Sequence, residues 1–216
     1  VNANQDDVLI FAGSGMTGAV NKLQRLLGLR IPERIMDYVK PGKLPSLEEL
    51  KGSGLKIHSL FSNYLEVDEN LKPLIFVSHM EHHSNQTSWL ETIADVVIIP
   101  NNEDGNINLE ELERLLSKFE NRTNKIVAIT GCSNVTGIQT PYHEVAKITH
   151  QHNGLCFVDF ACSAPYVSIN MHPEDEEASL DAIFFSPHKF LGGQGTPGIL
   201  IFNKKLMQSW WVQGFE

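Results

Sequence analysis

Apolar residues recur along this chain in short unbroken runs, and the stretches between several of them carry an apolar residue at every third or fourth position. The runs, rich in Val and Ile, are VLIFA at 8–12, LIFVS at 74–78, DVVIIP at 95–100, KIVAIT at 125–130, LCFVD at 155–159, AIFFS at 182–186 and GILIF at 198–202. A run without polar alternation predicts a strand covered on both faces, as in a parallel or mixed sheet packed beneath helices. Asn108 is placed to cap a helix whose apolar positions are Leu109, Leu112, Leu115, Leu116 and Phe119, with acids in its first turn and Lys118 near its end. Pro141 opens a second helix that runs to about Asn153 and stops at Gly154. Strands alternating with helices predict an α/β fold: a three-layer, doubly wound architecture with a mostly parallel mixed sheet flanked by helices.

Loops punctuate this pattern. Asp104 and Gly105 mark a turn, PGKLPS at 41–46 is rich in breakers, and HPEDEEAS at 172–179 reads as a solvated acidic loop. With 216 residues, 42% of them hydrophobic, the chain is long enough for one well-buried domain rather than a disordered one. The net charge of -9, with basic residues scattered, leaves no footprint for nucleic acid or an anionic membrane, so a small molecule is the expected partner. No apolar run approaches the roughly 18 residues that span a bilayer, and VNANQDD has no signal-peptide character, so a cytoplasmic location is expected. The three cysteines, Cys132, Cys156 and Cys162, lack metal-ligand spacing and read as reduced thiols.

Candidate chemistry follows the strand ends. GSGMTG at 13–18 comes directly after the first strand and opens a helix running through Leu27, where free backbone N–H groups can cradle a phosphate. The same letters match the dinucleotide fingerprint, and a nicotinamide-dependent oxidoreductase stays open as an alternative. The acid that fingerprint wants downstream is offered only by Asp37, inside a helix-like stretch. Asp159 ends a buried strand, where ligands of open α/β sheets gather and where an acid needs a partner. Ser186, His188 and Lys189 follow another strand end and precede the glycine-rich GGQGTPG, which makes Lys189 a candidate for amine chemistry. His79, His82 and His83 follow the second strand; their order is not HExxH, so an imidazole stacked on a flat cofactor is expected there rather than a metal. GCSNVTG adds Asn134 at a further strand end.

Taken in order, GSGMTG, EHHSN, SNVTG, VDFA and SPHK resemble the class V aminotransferase superfamily of fold type I pyridoxal-phosphate enzymes, which includes cysteine desulfurases and selenocysteine lyases. The resemblance runs from about Phe11 to Phe202. It implies that pyridoxal 5'-phosphate is the cofactor, held by Lys189 as a Schiff base, with Asp159 paired to its ring nitrogen and His82 stacked on its ring. It further implies Asn134 on the phenolic-oxygen side, and Ser186 and His188 joining the loop of Gly15, Met16 and Thr17 around the phosphate. Cys162 stands where cysteine desulfurases commonly carry Gln, and Met16 where a phosphate-binding Thr is common. The family's N-terminal segment and C-terminal small domain have no counterpart in the motifs, so residues 1–216 are expected to form the cofactor-binding large domain alone. Desulfuration of an amino acid is the expected reaction, with transamination, epimerisation or a binding module without turnover as alternatives. The resemblance also implies a homodimer for the full-length protein.

Overall fold

The computed structural model describes residues 1–30 and 70–209. Asp37 and the breaker-rich 41–46 segment lie outside these residues. Within them the predicted strands form almost to the residue: β1 (Asp7–Ala12), β2 (Leu74–Ser78), β3 (Asp95–Ile99), β4 (Lys125–Thr130), β5 (Leu155–Asp159), β6 (Ala182–Phe185) and β7 (Gly198–Asn203). They make one sheet in the order β1-β7-β6-β5-β4-β2-β3. β2, β3, β4, β5 and β6 pair in parallel, whereas β7 runs antiparallel to both β6 and β1. The carboxyl ends of β1, β2, β4, β5 and β6 therefore share one edge, and β7 begins there.

Because side chains alternate along a strand, the central apolar runs feed two cores. The VLIFA run of β1, expected to be covered on both faces, instead packs through Val8 and Ile10 and leaves Leu9 and Phe11 exposed at the edge of the sheet. Phe76, Val127, Ile129, Cys156, Val158 and Ile183 face one side, where α3 (Leu109–Lys118) and α4 (Tyr142–Gln151) supply Leu112, Leu116, Val145 and Ala146. Ile75, Val77, Ala128, Phe157, Phe184 and Leu200 face the other, under α1 (Gly15–Leu26) and α2 (His83–Leu90), with Ala19, Val20, Leu23 and Trp89. Trp89 is fully buried, its ring 6.3 Å from that of Phe157. This is the three-layer, mostly parallel mixed α/β arrangement that the pattern predicts.

Local signals act as their chemistry dictates. Asn108 accepts from the Glu111 amide at 3.0 Å to cap α3, an interaction of about 1 kcal/mol. α4 ends as Asn153 adopts a φ of 56° and the Gly154 amide returns to the Thr149 carbonyl. Gly105 turns at a φ of 82°. The acidic 172–179 segment holds one short turn of 3₁₀-helix at Glu176–Ala178. A helix that hydrophobic periodicity does not announce is α2, whose sequence HSNQTSWL has no apolar stripe and is ordered by the burial of Trp89, Asn85 and Ser88. No helix among the described residues is long and apolar enough to cross a membrane.

Candidate active site

At the shared strand edge lies a cavity of about 230 Å³. Its wall includes Gly15, Met16, Thr17, His82, Asn134, Asp159, Cys162, Ser186, His188 and Lys189, so the ten residues that the resemblance assigns to the cofactor meet at one place. Ser14, Ser84, Thr130 and Ala161 complete the wall, and sequence reasoning missed them. Ser14, Ser84 and Ala161 lie inside the GSGMTG, EHHSN and VDFA motifs without having been assigned a role, and Thr130 follows from its strand-end position. His79 stands apart from this group, its ring Nε2 3.0 Å from the Gly105 carbonyl oxygen.

One corner is the N-terminus of α1. Ser14 is its N-cap residue but makes no side-chain cap, so the first turn keeps amides that need an outside acceptor. The Met16 amide finds one in the Ser186 hydroxyl, at 2.7 Å and 170 residues away. Gly15 holds a φ of 66°, and a Cβ there would stand 2.5 Å from His188 Cε1 and 3.1 Å from Ser186 Oγ. Glycine thus lets the helix start and the 186–188 turn close on each other, leaving amides, a hydroxyl and an imidazole around one concavity. That donor set suits a phosphate.

The SPHK segment folds as a 3₁₀ turn, Pro187–Lys189, with the Lys189 amide bonded to the Ser186 carbonyl at 3.0 Å. Gly192 follows at a φ of 78°, and a Cβ on Gly193 would strike the Pro187 carbonyl oxygen. The backbone therefore doubles back tightly and presents an exposed Lys189 at the cavity.

Asp159 is almost wholly buried, with 3% of its surface exposed. Its Oδ1 accepts from the Ala161 amide at 2.8 Å. Burial pushes the carboxyl up to about 7; the nearby Glu81 acid adds to that rise, while the Ala161 hydrogen bond and the Lys189 cation oppose it. His82 caps α2, its Nδ1 accepting from the Ser84 amide at 3.2 Å with the Ser84 hydroxyl at 2.7 Å. An amide can only donate, so Nδ1 is an acceptor and a neutral His82 carries its proton on Nε2. Burial first, then the neighbouring His83 and Lys189 cations, hold His82 below the ordinary imidazole value, which favours that neutral form.

Asn134 is exposed on a tight turn in which the Ser133 hydroxyl accepts from the amides of Val135 and Thr136. Cys162 is partly buried; desolvation and the adjoining Cys132 thiol raise its pKa, which favours a protonated thiol beside Asp159. Among the described residues no group of three or more His, Cys, Asp and Glu is placed to hold a metal ion.

Fold and site together define an α/β protein that gathers an amine, a buried acid, an imidazole and a phosphate-type cradle at the carboxyl edge of its sheet. Residues 50–215 match the sequence profile of the Aminotransferase class-V family, and the chain belongs to that family. A probable cysteine desulfurase of Halalkalibacterium halodurans is 32% identical over 177 residues, covering 80% of this chain and 41% of that protein. A cysteine desulfurase of Shigella sonnei is 37% identical over 139 residues, covering 62% of this chain and 32% of that protein. The chain thus spans well under half the length of these relatives. Among solved structures, the cysteine desulfurase CsdA from Escherichia coli matches with a TM-score of 0.52 at 27% identity, over 62% of this chain and 33% of that one. A NifS-like protein from Rickettsia africae matches with a TM-score of 0.54 at 20% identity, over 83% and 57%, and shares the fold.

Proposed function

We propose that residues 1–216 form the cofactor-binding large domain of a pyridoxal 5'-phosphate enzyme that acts on an amino acid, and that desulfuration of cysteine is its reaction. One observation carries this reading: Lys189, Asp159, His82 and the α1 N-terminus converge on a single cavity at the sheet edge. The relatives called cysteine desulfurases support the choice of reaction over transamination or epimerisation. The whole protein is then a cytoplasmic homodimer that handles a free amino acid.

The residues present fit the cofactor. The Gly15 and Thr17 amides, Ser186 and His188 would hold the phosphate, with the Met16 amide kept by Ser186, and Lys189 would be the point of covalent attachment. His82, fixed by Ser84, would stack on the ring, and Asn134 and Cys162, which line the same cavity, would be available to its phenolic oxygen. When bound, the cofactor supplies an electron sink for bonds at the substrate's α carbon. Asp159 would hold the ring nitrogen protonated through its carboxylate, whose charge the Ala161 amide favours. The Lys189 amine would take and return the substrate's proton, because it stands exposed at the cavity on the turn after β6.

A titration of the purified chain with pyridoxal 5'-phosphate, followed by absorbance, tests the reading. A saturable band of protein-bound pyridoxal that disappears in Lys189→Ala is expected. Binding of a nicotinamide dinucleotide in its place would return the glycine loop to the oxidoreductase alternative.

A further inference from the structure

Two residues before the α2 helix is a carboxyl that no part of the proposed cofactor chemistry uses. Glu81 is partly buried as a residue, but its carboxyl is enclosed by three donors that are themselves buried. Oε1 accepts from the Ser78 hydroxyl at 2.5 Å and from the Thr130 amide at 2.8 Å, and Oε2 accepts from the Asn85 amide group at 2.6 Å. The Asn85 carbonyl oxygen is held in turn by the Trp89 indole at 3.2 Å, so Asn85 can offer Glu81 only its N–H. The acid therefore ties together the end of β2, the start of α2 and the end of β4.

Thr130 leads directly to Asp159. The two are paired across β4 and β5; the Thr130 hydroxyl donates to the Cys132 carbonyl at 2.7 Å, and the Gly131 amide next to Thr130 donates to the Asp159 backbone carbonyl at 2.8 Å. Glu81 and Asp159 are thus two enclosed acids on either side of one residue. Among the described residues, the other ionisable groups around Asp159 are Lys189 and His188 from the turn after β6, His82 before α2, and Cys162 with Cys132 beyond it.

We propose that Glu81 is a positioning residue for Asp159: through Thr130 it fixes where the Asp159 carboxyl sits, and it takes up the proton whenever Asp159 is charged. Asp159 feels the charge of Glu81, so a proton held on Glu81 eases the loss of the proton from Asp159. Burial pushes both acids up to about 7, so near neutral pH the pair holds a proton to exchange. With a positive charge next to Asp159, its carboxyl would be held ionised and the displaced proton would be carried by Glu81. This step rests on the cofactor assignment above, but the acid pair itself belongs to the chain alone.

The test needs no cofactor. Carbon-13 NMR of the protein labelled in its Asp and Glu carboxyls, with Asp159→Asn and Glu81→Gln assigning the two signals, follows both titrations. The wild type should show coupled midpoints, and Glu81→Gln should lower the Asp159 midpoint by about one pH unit. A glutamine amide must face the Asn85 N–H and can weaken the fold, so Ser78→Ala is the second variant. It keeps the acid, removes a bond that favours its charge, and should raise the Glu81 midpoint while lowering that of Asp159. An Asp159 midpoint unmoved in either folded variant overturns the proposal. A chain with coupled acids that never attaches pyridoxal 5'-phosphate would overturn the cofactor assignment and leave the pair standing.

Discussion

The Ser186 hydroxyl accepts a buried 2.7 Å hydrogen bond from the Met16 amide, so the residue three positions before Lys189 is fastened to the start of the first helix. This contact positions the lysine turn against the phosphate cradle. Ser186→Ala leaves the Met16 amide without its acceptor and should cost about 1–3 kcal/mol in urea denaturation. It should also weaken pyridoxal 5'-phosphate binding about tenfold, as expected for a lost bond of roughly 1.4 kcal/mol. Gly15→Ala should be worse on both measures, because its Cβ meets His188 and its φ of 66° strains any side chain. A Ser186→Ala protein with wild-type stability and affinity would show that the contact does neither job.

Asp159 makes stability depend on pH in a defined direction. Its folded carboxyl stands at about 7 against an ordinary 3.8, so the folded cofactor-free chain holds this proton more tightly than the unfolded chain does. The resulting stability is complete below about pH 4, is lost as pH rises, and is gone above about pH 7. Asp159→Asn has no proton to lose, so its stability relative to wild type should rise by roughly 2–4 kcal/mol across that window. Denaturation curves at a series of pH values check this; a pH-independent difference would contradict the buried acid.

His82 does two things that substitution can separate. Its Nδ1 caps α2, and its ring faces the cavity. Asparagine is a good N-cap without an imidazole, so His82→Asn should stay within about 0.5 kcal/mol of wild type while retaining the cofactor poorly through gel filtration. His82→Ala should lose both, with about 1 kcal/mol of stability gone. Cofactor retention by His82→Asn equal to wild type would argue that the imidazole only caps.

Much of this was legible in the residues. Unalternating runs such as KIVAIT and LCFVD can be satisfied only by burial on both faces, and they became β4 and β5 with the predicted limits. Because ligand chemistry gathers where parallel strands end, reading Asp159, Asn134 and SPHK as strand-end residues was enough to bring them together. What the sequence concealed depends on three-dimensional partners. α2 carries no apolar stripe, since its inward positions are Asn85, Ser88 and Trp89, two of them polar and satisfied by other buried groups. Glu81, beside a conspicuous histidine pair, is given no role by the sequence, and its three donors, Ser78, Asn85 and Thr130, come from separate elements that only the fold brings around it. The Met16 amide looked free for a phosphate, and only the fold reveals that Ser186 already occupies it.

Lys189 is where the account is most directly exposed to failure. It is solvent-exposed at the cavity, on a turn built from Pro187 and the close-packed Gly193. Incubating the purified chain with pyridoxal 5'-phosphate, reducing with borohydride and mapping peptides by mass spectrometry locates the attachment. A pyridoxyl group on Lys189, absent from Lys189→Ala, is the predicted result. Label on a different lysine, or none in a folded sample saturated with the cofactor, would contradict it.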